Sequence, residues 1–162
     1  MSAAVRHARA ADLDALAAAE AVCFPPAEAA SRESLRGRLA VYPAHFWLLE
    51  QDGQLAAYAD GFVSDSPALT DDMYADPSLH REDGAWQMIF GVGTLPAYRG
   101  RGLASQVLRQ AEADARAQGR LGLVLTCKQA LAPFYARLGY RSEGVSSSEH
   151  GGAVWLQMRL RF

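Results

Sequence analysis

Arg99-Gly100-Arg101-Gly102-Leu103-Ala104 sets two permanent positive charges and two glycines directly ahead of a segment of helix formers. Such a stretch is suited to holding an anion. Unpaired N–H groups at a helix N-terminus carry partial positive charge, glycines remove side chains that would keep a phosphate oxygen away, and the arginines add full charges. A glycine pair alone more often marks a turn. The neighbours give it weight here, because Trp86 to Thr94 reads as a buried strand and Leu103 to Gln118 as a helix. The Gly-Lys-Ser/Thr ending of a nucleoside-triphosphate loop is missing, which argues against that ligand class.

The elements that must position this loop follow from periodicity and punctuation. Val5, His7 and Arg9 alternate as an opening strand, and Asp12 stands as an N-cap ahead of a helix from Leu13 to Val22. Phe24-Pro25-Pro26 ends that helix, and a second is expected over 31–39. Phe46 to Glu50 and Gln54 to Val63 read as strands joined by Asp52-Gly53, a hairpin signal. Residues 64–84 turn polar and read as a long loop with one helical turn near Asp71 to Tyr74. After the Trp86 to Thr94 strand and the Arg99 loop, the long helix carries Leu103, Val107, Leu108 and Ala111 on one face and stops at Gly119. A strand at 121–126, a short helix at 130–138 opened near Pro133, and a closing hairpin of 140–145 with 153–160 complete the chain. The sum is an α/β (α+β) fold with a mixed, mostly antiparallel central sheet and about four helices.

Its 162 residues suit a single domain, 1–162, and half of them are apolar. A net charge of −2 gives no support to a general nucleic-acid or membrane-surface binder. No apolar run reaches the roughly 20 residues that span a bilayer, and Met1 to Ala10 holds Arg6 and Arg9 without an apolar signal core, so a cytoplasmic monomer or homodimer is expected. Cys23 and Cys127 make no disulfide framework, and reduced thiols are expected.

Arg99, Gly102 and Ala104 fit the pattern Arg/Gln-x-x-Gly-x-Gly/Ala at the start of a helix, and the stretch from Leu125 to Tyr140 contains Pro133-Phe134-Tyr135 with Gly139-Tyr140 after it. In these two ordered motifs the chain resembles the GNAT superfamily of N-acetyltransferases. The Ala-Leu-Ala-Pro-Phe-Tyr wording, Cys23-Phe24-Pro25-Pro26 and Leu69-Thr70 are similar to its arylalkylamine (serotonin) N-acetyltransferase branch, over about 23–160. The resemblance implies transfer of an acetyl group from acetyl-CoA to a primary amine, with no metal. It assigns the pyrophosphate to Arg99, Gly100, Arg101, Gly102, Leu103, Ala104 and Ser105, and the thioester arm to the backbone at Val92, Gly93 and Thr94, with Phe134 a further cofactor contact.

The resemblance also implies that Tyr135 is the acid that protonates the departing CoA thiolate, a role a phenol can fill. The branch carries two histidines in its central strand as the route for the amine proton, and Met88 and Phe90 stand at those positions here. Asp60, a carboxylate among Ala57, Ala59, Gly61 and Phe62, is the candidate replacement base, ahead of His80, Glu82 and Asp83. Cys127 as a nucleophile lacks a neighbour to lower its pKa other than Lys128. Phe24, Pro25, Met88, Phe90 and Thr126 are expected to line the acceptor pocket, for a small arylalkylamine, whereas the aspartates between Asp60 and Asp83 would suit a polyamine. Two other readings are an acyl-CoA-binding module without turnover, favoured by the missing histidines, and a protein N-terminal or lysine acetyltransferase.

Overall fold

The structure, a computed structural model, describes residues 4–162. In chain order it runs β1 (Val5–Arg6), α1 (Leu13–Cys23), α2 (Arg32–Val41), β2 (Phe46–Gln51), β3 (Gln54–Asp60), β4 (Val63–Ser64) and α3 (Asp71–Ala75). There follow β5 (Trp86–Ile89), β6 (Gly91–Thr94), α4 (Leu103–Ala117), β7 (Gly122–Cys127), α5 (Ala132–Arg137), β8 (Arg141–Val145) and β9 (Leu156–Arg161). By their contacts the residues divide into two compact units, one comprising the chain up to Gly61 with Gly91–Ala111, the other Phe62–Phe90 with Glu112–Phe162.

The first unit holds an antiparallel sheet in the order β1-β2-β3-β6. Its central hairpin turns at Asp52 and Gly53, both at positive φ (54° and 74°), the conformation that a two-residue hairpin with matching strand twist requires. Phe46, Trp47, Leu48 and Leu49 of β2 and Ala56 to Ala59 of β3 are buried. The α1 helix stops at Phe24, whose backbone is extended as expected ahead of Pro25. Ser31 caps α2, its hydroxyl accepting from Ser34 N–H at 3.1 Å.

The second unit holds a sheet in the order β4-β5-β7-β9-β8, antiparallel except for the β5–β7 pair. That parallel pair needs a crossover, and residues 90–121 supply it. Met88, Ile89, Leu123, Val124, Leu125, Met158 and Leu160 form its core. Gly122 is bare for a reason: a Cβ there would lie 2.1 Å from the Leu160 carbonyl oxygen and 3.0 Å from the Trp86 ring.

The expected mixed architecture is present, with two corrections. Among the described residues the strands form two sheets and not one, and there are five α-helices where about four were expected, the helical turn near Asp71 to Tyr74 being a short helix, α3. The expected Trp86–Thr94 strand breaks at Phe90, so that β5 pairs with β4 and β7 while β6 pairs with β3. The Gln54–Val63 strand likewise ends at Asp60 before β4 begins. The α4 stripe is as expected, with Leu103, Val107, Leu108, Ala111 and Ala115 buried and Gly119 at φ 77° just past its end. No helix of the described residues is long and apolar enough to cross a membrane.

Candidate functional site

The Arg99 loop lies in the first unit. Gly100 and Gly102 take φ of 79° and 74°, and a Cβ on either would meet nothing within 4 Å, so backbone conformation and not crowding calls for glycine. The loop delivers the chain into α4, whose first helical bond runs from Gln106 N–H to the Gly102 carbonyl at 3.2 Å. The N–H groups of Leu103, Ala104 and Ser105 precede that bond and have no partner within the helix, the setting for an anion. Both arginines are exposed. The Arg99 Nε donates to the Thr94 carbonyl at 3.0 Å, and Arg101 lies 5.5 Å over the Tyr98 ring.

β6 is the edge strand of its sheet. Leu95 N–H donates to the Ala56 carbonyl at 2.9 Å, and the alternation of an antiparallel ladder then directs the backbone groups of Gly93 and Gly91 toward β3. Those of Val92 and Thr94 point to the side away from β3, where an extended ligand arm could add as a strand. Gly93, expected among the cofactor contacts, has a different reason to be glycine: a Cβ would fall 2.7–2.9 Å from the Tyr58 ring. Tyr58 cannot withdraw, because its hydroxyl donates to Glu20 Oε2 at 2.5 Å. Glu20 is itself buried and accepts from Ala30 N–H at 3.0 Å, so it ties α1 to β3 and to the segment that follows Phe24 and Pro25. Phe24 is half-buried and Pro25 exposed.

Asp60 is not placed as a base. It is 2 % exposed and paired with Arg38, Nη1 to Oδ2 at 3.0 Å, inside the first unit. Burial raises its carboxyl above the ordinary range and the Arg38 charge opposes the rise. Taking up an amine proton there would break a buried ion pair, so the carboxylate serves the fold.

The second unit holds Met88, Phe90, Thr126, Phe134 and Tyr135. Tyr135 stands on α5, buried, its ring edge-on to Phe134 at 5.0 Å and to Tyr140 at 5.8 Å. Burial, followed by the neighbouring Cys127 and Tyr74, raises its phenol above the ordinary value of 10.0. The half-buried Thr126 on β7 shares a hydrogen bond with the Tyr74 hydroxyl at 3.0 Å. Around them lies an aromatic run that spacing does not reveal. Tyr74 stacks on His150 at 5.0 Å and meets Phe90 at 4.8 Å, and Phe90 meets Phe62 edge-on at 5.0 Å. Asp71 assembles it, accepting from Ser148 Oγ at 2.5 Å and Glu149 N–H at 2.9 Å. The α3 helix and the 146–152 loop are thereby joined.

Met88 is fully buried and serves the core, so only Phe90 and Thr126 of the expected second-unit lining keep exposed surface. Two of the other candidate bases, His80 and Glu82, are engaged. His80 Nδ1 accepts from Val63 N–H at 3.0 Å, and its Nε2 meets Glu82 at 3.3 Å. Glu82 also pairs with Arg120 at 3.0 Å. Both cysteines are free, and burial pushes the Cys127 thiol up to about 11, which leaves it protonated and a poor nucleophile near neutral pH.

The model of the acetyltransferase (GNAT) family matches residues 3–140. No curated protein matches the sequence. Among solved structures, the GphF GNAT-like decarboxylase in complex with isobutyryl-CoA superposes with a TM-score of 0.84 at 23% identity, covering 98% of both chains. The loading GNATL domain of CurA from Lyngbya majuscula gives 0.84 at 18% identity, over 99% of this chain and 98% of that one. The PaiA N-acetyltransferase from Thermoplasma acidophilum in complex with coenzyme A gives 0.73 at 15% identity, over the whole of both chains.

Proposed function

Because the chain belongs to the acetyltransferase (GNAT) family, we propose that residues 1–162 act as one N-acetyltransferase domain that moves an acetyl group from acetyl-CoA to a small primary amine. The Arg99 loop and the N–H groups of Leu103, Ala104 and Ser105 hold the pyrophosphate, and the outward backbone groups of Val92 and Thr94 hold the thioester arm. The amine attacks in its neutral form, a C–N bond forms, the C–S bond breaks, and the nitrogen's surplus proton leaves to water. Tyr135 gives its proton to the departing sulfur. The observation that carries this reading is the Arg99 loop, which follows an edge strand and opens a 15-residue helix with two left-handed glycines.

The acceptor is an amine with an aromatic body, in keeping with the arylalkylamine branch. Tyr74, Phe90 and His150 present ring surface in the second unit, with Phe62 buried against Phe90. The aspartates that suggest a polyamine are in part engaged locally, which favours the aromatic acceptor over it: Asp65 accepts from Ala85 N–H at 3.2 Å, Asp76 from Ser78 N–H at 3.0 Å, and Asp71 from the 146–152 loop.

A second reading rests on the likeness to GphF, described as a decarboxylase bound to isobutyryl-CoA. The same CoA cradle would then hold a carboxyacyl-CoA that loses CO2, its C–C bond breaking and a proton adding at the carbon left behind. One assay separates the readings: thiol release from acetyl-CoA over a panel from phenethylamine and tryptamine to spermidine, beside CO2 release from malonyl-CoA without amine. Amine-dependent thiol release, greatest for the aryl amines, is expected, with kcat falling about 10²-fold or more in Tyr135→Phe. CO2 release with no amine-dependent thiol would establish the second reading, and coenzyme A binding without either product would establish a binding module.

A further inference from the structure

A second group of cationic side chains lies in the second unit, on the last two strands of its sheet, and acyl transfer makes no use of it. Arg159 and Arg161 of β9 alternate onto one face, and Arg141 of β8 stands directly opposite Arg159 in the strand register. With Gly139 and Glu143 these three line a pocket of about 370 Å³. Three guanidiniums thus face one carboxylate, in a chain whose net charge is −2.

The one carboxylate is already spent. Glu143 fills the fork of Arg159, with Nε to Oε2 at 2.8 Å and Nη2 to Oε1 at 2.9 Å. Arg159 also donates to the Pro67 carbonyl and lies 4.5 Å over the Trp86 ring. Its side chain is 7% exposed, yet Nη1 has no hydrogen-bond partner. Arg161 rests on the same indole at 5.2 Å, and Arg141 is exposed with no ion pair among the described residues. Like charges directly opposed across two strands are destabilising. Arg141 and Arg159 are such a pair, and an anion between them would turn that repulsion into attraction.

We propose that this pocket is an anion site, distinct in its residues from the Arg99 loop, that binds a small phosphate-bearing molecule. A planar carboxylate is best matched by one guanidinium offering two parallel N–H groups. The most enclosed fork here is occupied by Glu143, so the remaining donors come singly from different residues. Donors converging from several sides suit a tetrahedral oxyanion. Trp86, lying beneath the Arg159 and Arg161 guanidiniums, holds two of the lining side chains in place.

Pyrophosphate is the probe, titrated into the full chain by calorimetry and tryptophan emission with sodium chloride holding ionic strength constant. Saturable binding is expected, with an emission change that Trp86→Phe abolishes while the binding heat persists. Arg141→Ala combined with Arg161→Ala changes two exposed side chains and should leave Tm and coenzyme A affinity unaltered, but weaken this binding about tenfold or more, the factor a charge-assisted hydrogen bond carries. Three results would overturn the proposal: heats identical in the double variant and the wild type, binding lost in Arg99→Ala and not in the double variant, or citrate bound as tightly as pyrophosphate.

Discussion

Tyr135 keeps its proton because burial lifts the phenol above its ordinary value of 10.0, and an acid that stays protonated at neutral pH can serve a departing thiolate in every turnover. The sign fixes a pH profile. A phenol raised in this way does not ionise near pH 10, so the rate should show no fall at that point, and Tyr135→Phe should lower the rate evenly across the profile. A wild-type rate that dropped near pH 10 and a variant without that drop would show Tyr135 titrating as an ordinary phenol. Asp60 invites the opposite test. Removing it leaves Arg38 buried without its counter-ion, and breaking a buried pair costs about 3–5 kcal/mol. Asp60→Ala should therefore lose roughly that much in urea unfolding, while activity per folded molecule survives. A stable but inactive Asp60→Ala would restore the carboxylate to catalysis.

β6 depends on an absence, the missing side chain at Gly93. A Cβ there meets the Tyr58 ring at 2.7–2.9 Å, and the bond to Glu20 keeps that ring from swinging away, so Gly93→Ala should cost about 1–3 kcal/mol by overpacking. Adding Tyr58→Leu should recover part of that loss in the same unfolding measurement, since the obstructing ring is gone. The steric reason for Gly93 is not legible in the sequence, because Tyr58 reaches it only through the β3–β6 register. Elements fixed by local chemistry were legible: the Asp52-Gly53 turn, the Arg99 loop and the stop at Gly119. The break at Phe90 was not, because a continuous apolar run records burial on either side and says nothing of a change of neighbour from β7 to β3. Tyr74 and His150 escaped notice for a related reason. They meet only because Asp71 fastens the 146–152 loop, and a hydrogen bond between distant segments leaves no periodicity.

Across the whole chain, eighteen acidic side chains nearly balance sixteen basic ones, yet the carboxylates whose titration the fold shifts do not all act on stability in the same direction. Hydrogen bonds from Arg6 hold Asp12 below its ordinary 3.8, and those from Arg159 hold Glu143 below its ordinary 4.5. Each binds protons less readily when folded, so its contribution is present above the ordinary value and is lost as pH falls through the folded one. Glu20 behaves in reverse. Burial, reinforced by the Asp60 charge, raises its carboxyl above 4.5, so the folded chain holds that proton more tightly than the unfolded one. Its contribution is full below pH 4.5 and is lost as pH rises through the folded value. Asp12 and Glu143 thus favour the fold as pH rises through the acid range, and Glu20 opposes them. Glu20→Gln isolates one side of this opposition. The amide oxygen of Gln can still accept from Ala30 N–H, while its NH2 group meets the Tyr58 hydroxyl; what that exchange costs is constant with pH, so any change in the wild-type-minus-variant difference belongs to the Glu20 proton. Urea unfolding between pH 4 and pH 8 should show that difference moving steadily in favour of the variant as pH rises. A difference that stayed flat would mean that Glu20 titrates alike in both states, and that its bond with Tyr58 cancels the cost of burial.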